Sequence, residues 1–325
     1  MGTTLRITPP SDFDLPRDVC SYGYFLLAPN HWDPAAQALI RPLELTDGAS
    51  CARLTQPRGA GTPVRAAFDR SLARSEQHDA REQIARMLRL TETEQDLAAF
   101  HRVDPRWQRS GQGRLFRSPT LFEDIIKTVT SCNVAWPSTI NMNRRMCDVL
   151  GRPTAVKGVR AFPSAAKLAR TRPGTLRARC RVGYRDQRMI DLAKLFAPRG
   201  KRPPELDAAW FEDPANDDDT VFKKLLSLPG IGPYAAGNIM QLLGRYSRLA
   251  IDTESVRHAR VVLGYEGTER ELMKRVAEHY EPFGEHRFRS YWFELWEFYE
   301  KKRGPAHEWD REGVGASFTA SQLQD

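Results

Sequence analysis

The chain has 325 residues, 41% hydrophobic with seven tryptophans, and a net charge of +8; that is length for roughly two domains and material for a large core. It contains no run of eighteen apolar residues, and "MGTTLRITPPSDFDLPRD" has no apolar leader, so neither a membrane span nor export is expected and the cytoplasm is the expected compartment. Cys20, Cys51, Cys132, Cys147 and Cys180 are scattered without a C-x-x-C pair, which argues for free thiols and against a zinc site or a disulfide framework.

In chain order, the first part reads as β-rich. "YGYFLLA" (22–28) and "LIRPLEL" (39–45) are short apolar runs bounded by turn residues, the pattern of strands. "QPRGAGTPVR" (56–65) is a Gly/Pro-rich loop, and "REQIARMLRL" (81–90) and "TEQDLAAFHRV" (93–103) have helical spacing. From residue 118 helices dominate. Ser118 is an expected N-cap with Pro119 at the first helical position, and apolar residues follow at 121, 122, 125, 126 and 129. Further helices are predicted at about 138–149, 163–171, 185–197, 219–227, 233–244, 253–263, 269–280 and 288–302. The expected fold is mostly α with a small β-rich N-terminal domain (α+β). The expected domains are 1–115, β-rich with flanking helices; 116–310, all-helical; and a flexible tail, 311–325.

The charge is unevenly placed. Residues 151–203 carry fifteen Lys/Arg against two acids, Asp186 and Asp191, a solvated face or a surface for a polyanion. Downstream, "LPGIGP" (228–233) places Gly230 and Gly232 around one apolar residue, Ile231, before Pro233 opens a helix. Glycine supplies positive φ or bare backbone, and a helix N-terminus with uncovered amides binds anions, phosphodiesters included. The alternative is an ordinary helix–helix turn.

The longer stretch "LPGIGPYAAGNIMQLLGRYSRLAIDTESVRH" (228–258) resembles the helix-hairpin-helix–Gly/Pro–Asp superfamily of base-excision DNA glycosylases. The hairpin, the Gly/Pro loop and an aspartate twenty residues past Gly232 arrive in the family order. "LFEDIIKTVTSCNVAWPSTINMNRRMCDVLG" (121–151) resembles the family helix whose Asn-bearing end faces DNA, and "RVGYRDQRMIDLA" (181–193) the Gly-Tyr-Arg segment of oxoguanine glycosylases. The resemblance covers about residues 117–300. It is closest in kind to the oxoguanine/alkylpurine branch without an iron–sulfur cluster.

That resemblance implies double-stranded DNA with a modified base as partner, and a monomeric enzyme associated with the nucleoid. It implies Asp252 as the catalytic carboxylate, although aspartate there also caps the helix after it. Leu228, Gly230, Ile231 and Gly232 are the implied phosphate clamp. Tyr184, Arg185 and Asn133 are implied at the gap that the flipped base leaves. Tyr234, Trp136, Trp292 and Trp296 are candidate walls of the base pocket, with Tyr291 and Tyr299 on the same helix as the last two. Tryptophans at i, i+4 also commonly form core. Family members that nick the backbone carry a lysine two residues past the second glycine; here Tyr234 stands there, and Lys223 and Lys224 precede the hairpin. A monofunctional glycosylase is therefore expected, with a glycosylase/lyase and a non-catalytic DNA-binding module as alternatives. Some relatives hold an iron–sulfur cluster on four cysteines beyond the aspartate. Every cysteine here precedes the hairpin, so no cluster, metal or other cofactor is expected. The base stays open: an alkylated or oxidised purine, a mismatch, or a hypermodified base of invading DNA.

Overall fold

The structure, a computed structural model, describes residues 2–310; the expected tail at 311–325 lies outside them. Five strands form one antiparallel sheet: β1 (Thr4–Ile7), β2 (His31–Asp33), β3 (Ala38–Glu44), β4 (Ala49–Thr55) and β5 (Val64–Phe68), in the order β1-β5-β4-β3-β2. Helix α1 (Leu15–Val19) follows β1. "YGYFLLA" differs from expectation, because Gly23–Leu26 is a 3-10 turn rather than a strand. Residues 18–29 but one are buried without alternation, and a short, wholly apolar run does not distinguish strand from helical turn by periodicity.

Helices α2 (Arg74–Met87) and α3 (Glu94–Val103) lead to α4 (Leu121–Ser131) and α5 (Trp136–Leu150). The cap of α4 is Thr120, whose hydroxyl accepts the Glu123 amide at 3.2 Å, rather than Ser118. The Ser118 amide is spent on Asp124 Oδ1 at 2.8 Å, which keeps Ser118 and Pro119 ahead of the helix. Every residue of α4 from Leu121 to Thr130 is buried, so its charges need partners. Arg41 of β3 grips both Glu123 oxygens at 2.9 and 2.6 Å, Lys127 adds a contact at 2.7 Å, and Arg86 of α2 pairs with Asp124 at 2.8 Å. Burial opposes ionisation of Glu123, but Arg41 and Lys127 overcome it and hold the carboxyl at about 2. The Arg41 pair locks α4 to the sheet, and the Arg86 pair locks it to α2.

Short helices α6 (Ala165–Ala169) and α7 (Pro173–Thr175) precede α8 (Asp186–Phe196), α9 (Ala208–Glu212), α10 (Asp218–Leu226) and α11 (Pro233–Leu242). The chain ends its described part with α12 (Thr253–Val261), α13 (Glu269–Tyr280) and α14 (Arg287–Arg303). Two apolar cores result. One joins residues 5–116 to residues 242–309; the other draws on 121–243, with Ala28. The last three helices thus return to the sheet: Trp292 Nε1 donates to the Ser21 carbonyl at 2.8 Å. Helix α11 contributes to both cores, and the site forms where they meet. Among the described residues no helix is long and apolar enough to cross a membrane.

Candidate active site

The turn between α10 and α11 is built from inside. The Leu228 amide donates to the Leu225 carbonyl at 3.0 Å and the Ile231 amide to the Leu228 carbonyl at 3.2 Å. Both side chains are buried in the second core, so Leu228 and Ile231 shape the hairpin and the surface they leave is glycine backbone. Gly230 has φ +75°, the left-handed region that favours glycine. Gly232 is extended, with φ −95° and ψ −179°, and a Cβ on it would meet nothing within 4 Å. Its contribution is bare backbone. Among the described residues the Gly230 and Gly232 amides donate to no acceptor, and both stand exposed at the N-terminus of α11. Lys223, Lys224 and Arg188 are exposed nearby in sequence or in contact; the Arg188 stem lies beneath Gly230 and its guanidinium over the Tyr184 ring, 5.5 Å from the centroid.

Past the hairpin the chain reaches a cavity of about 500 Å³. One face of α14 supplies Trp292, Leu295, Trp296 and Tyr299, the i, i+3, i+4, i+7 spacing that keeps side chains on one side of a helix. Trp136 opens α5, Tyr234 and Asn238 come from α11, and Tyr22, Gly23 and Tyr24 from the 3-10 turn. Trp292 stacks on Trp296 with centroids 5.3 Å apart, and Tyr22 tilts against Trp292 at 4.6 Å. A Cβ on Gly23 would lie 3.1 Å from the Trp136 ring, so glycine lets that indole lie on the turn's backbone. All four predicted wall residues, Tyr234, Trp136, Trp292 and Trp296, are brought together here. Tyr299 joins them; Tyr291 faces away and shares a hydrogen bond with the Ser255 hydroxyl at 2.9 Å.

Asp252 lies on this wall and caps α12. Its Oδ1 accepts the Glu254 and Ser255 amides at 2.9 and 3.1 Å, leaving Oδ2 outside the cap. Burial pushes the carboxyl above the usual aspartate range; the Ser255 amide works against that shift and the Glu254 carboxylate adds to it. Glu254 is itself held by Arg257 and by the Tyr299 hydroxyl. No lysine is among the residues lining the cavity.

The three residues expected at the gap separate into two kinds. Tyr184 is 55% exposed, with the Arg185 and Arg188 guanidinium groups over its ring at 4.6 and 5.5 Å from the centroid. Asn133 is exposed, with φ +52°, in the loop between α4 and α5; asparagine tolerates that conformation better than most residues. Arg185 is buried, and donates to the Val129 carbonyl at 3.1 Å, to Cys132 and, at 3.4 Å, to Asn133. In this structure its guanidinium is spent on carbonyls and holds the Asn133 loop in place.

Sequence reasoning missed Tyr22, Tyr24 and Asn238. A glycine between two tyrosines is the one local signal for the first pair, since an aromatic ring packed on backbone requires it. Asn238 follows Tyr234 by four residues, and so shares its helix face.

At the level of sequence, neither family models nor curated proteins match the chain. Solved structures do. A 3-methyladenine DNA glycosylase from Archaeoglobus fulgidus is 17% identical, covers 90% of this chain and 98% of its own, and superposes with a TM-score of 0.67. MBOgg1 in complex with a low-affinity DNA ligand is 17% identical over 94% of this chain and 97% of its own, at 0.65. The Clostridium acetobutylicum 8-oxoguanine glycosylase/lyase, in complex with double-stranded DNA containing cytosine opposite 8-oxoguanine, is 16% identical over 92% and 98%, at 0.63. The chain has the fold of these DNA glycosylases along nearly their whole length.

Proposed function

We propose that the protein is a monofunctional DNA glycosylase: it flips a modified base from duplex DNA and hydrolyses its N-glycosidic bond, leaving an abasic site. The observation that carries this reading is Asp252, a carboxylate on the wall of an aromatic cavity beside a hairpin with free amides. As a base departs, positive charge develops on the sugar. A fixed carboxylate stabilises that charge and orients the attacking water. The aromatic walls stack the extruded base, and the Gly230 and Gly232 amides take a phosphate of the same strand. The structural neighbours, all DNA glycosylases by name, support the class of chemistry.

Tyr234 and the absence of lysine from the cavity lining support hydrolysis over imine chemistry. The test is a panel of duplexes, each with one modified base, developed with and without alkali and with borohydride present. Release of a free base with the strand intact until alkali is added, and no trapped adduct, is the expected result. A stoichiometric protein–DNA adduct would overturn the monofunctional reading, and no release from any duplex would overturn the glycosylase reading. The cytoplasmic, nucleoid-associated monomer that the resemblance implies is part of the same proposal.

A further inference from the structure

The floor of the cavity is polar where its walls are aromatic. The Tyr22 hydroxyl donates to Asn238 Oδ1 at 3.3 Å, and Asn238 Nδ2 donates to the Tyr234 carbonyl at 3.4 Å and faces the Tyr234 hydroxyl. A carboxamide has two acceptor sites and two N–H donors. Asn238 is 8% exposed, yet it lines the cavity with one Oδ1 acceptor site unspent and with its Nδ2 held only by a long 3.4 Å bond and the neighbouring Tyr234 hydroxyl, contacts that an entering base edge can replace. One helical turn further along the same face, Gln241 is wholly buried and stands beside the Tyr22 hydroxyl. Neither of its amide atoms meets a partner at hydrogen-bond geometry. Buried polar atoms are nearly always paired; Gln241 lies behind the floor, outside the lining, and the Asn238 amide is the member of this cluster that faces the cavity with capacity left for a ligand.

Stacking on Tyr22, Trp136 and Trp292 holds any flat ring and says little about which one. Discrimination has to come from an edge. We propose that Asn238, oriented by the Tyr22 hydroxyl, reads the hydrogen-bonding edge of the base that enters the cavity, and that the site selects a nucleobase presenting a donor beside an acceptor. This inference rests on the glycosylase reading for why a base enters. Tyr22 acts as a positioning residue: by occupying Oδ1 it fixes which end of the amide donates and which accepts.

Three tryptophans line the cavity, so base binding is read as quenching of tryptophan fluorescence, without turnover. The probes are the 9-methyl derivatives of adenine (an amino donor beside a ring acceptor), hypoxanthine (a carbonyl acceptor beside an N–H) and purine, which then keeps the same ring and its acceptors but has no N–H donor. The wild-type protein should bind adenine or hypoxanthine more tightly than purine by roughly tenfold to a hundredfold, the scale of one amide–base edge contact. Asn238→Leu keeps the branched side-chain shape without polar atoms and should erase that preference while purine affinity stays within twofold. Tyr22→Phe keeps the ring and frees the amide to turn, so adenine and hypoxanthine should become equivalent. An unchanged preference in Asn238→Leu, or no preference in the wild type, overturns the proposal. Failure of the two readings is separable. Excision by the wild type with an Asn238-independent preference sinks this inference alone. An Asn238-dependent preference in a protein that excises nothing sinks the glycosylase reading and leaves the edge-reading floor standing.

Discussion

Tyr234 and Asp252 share the cavity wall and act on each other's protons. Burial, and after it the Asp252 charge, push the Tyr234 phenol well above its ordinary range. In return the Tyr234 hydroxyl favours the ionised form of Asp252, against the burial that raises it. Tyr234 therefore meets the carboxylate as a neutral phenol and not as an amine. On the proposed reading, that pairing favours electrostatic stabilisation and water attack.

Removing the charge from Asp252 should separate chemistry from folding. Asparagine caps a helix about as well as aspartate, whereas alanine costs about 1 kcal/mol there. Asp252→Asn should bind modified duplex nearly as the wild type does, melt within a degree of it, and lose roughly two or more decades in single-turnover rate. Asp252→Ala should lose the same rate and some melting temperature as well. Near-normal turnover by Asp252→Asn would remove the catalytic role.

The pH profile follows from the same pair. The carboxylate must be ionised to meet a cation, and burial raises its pKa. A raised value means that the proton is held to higher pH, so activity fails sooner on acidification. The acid limb of kcat/KM should lie above about 3.9, the ordinary aspartate value. Tyr234→Phe removes the hydrogen bond that favours the charged form, and should move the limb to still higher pH. A limb that stays where it was would mean that another group titrates.

What the sequence made legible was local. Gly230 shows its purpose in its own φ, Asp252 in its place before a helix, and Trp292, Trp296 and Tyr299 in their spacing along α14. The rest of the site lies far away along the chain. Tyr22 meets Asn238 across 216 positions, and Trp292 meets Ser21 across 271; no periodicity carries such information. The same distance hides the shared core of residues 5–116 and 242–309. The partners of Arg185 are hidden for a different reason. Arg185 sits in a basic run that looks solvated, and only its partners show that the guanidinium is committed to Val129, Cys132 and Asn133.

Neighbours in sequence, Tyr184 and Arg185 should respond differently to alanine. Tyr184, 55% exposed, should melt as the wild type does when replaced and lose activity on duplex more than on single-stranded substrate. Arg185→Ala removes a buried guanidinium that several carbonyls share, at roughly 2–3 kcal/mol, and should lower the melting temperature by several degrees. Its activity loss should appear on both substrates, because the Asn133 loop is loosened before DNA arrives. The check is a thermal melt beside paired duplex and single-strand assays.

The two hairpin glycines should also part company. Alanine at 230 must adopt φ +75° and would place its Cβ 2.6 Å from the Arg188 Cδ; the conformation alone costs about 1–2 kcal/mol, so stability should fall. Alanine at 232 meets nothing within 4 Å and has an ordinary φ. There the loss of a glycine N-cap and the smaller entropy of the unfolded chain oppose each other, so the melt should barely change. A methyl group over that amide nevertheless stands where a phosphate oxygen would approach. Gly232→Ala should weaken binding to unmodified and modified duplex by the same factor, because a phosphate contact carries no base information. Measured as dissociation constants at two salt concentrations, a loss confined to the modified duplex would take the phosphate clamp away from Gly232, and an unchanged affinity on both would take it away from the hairpin.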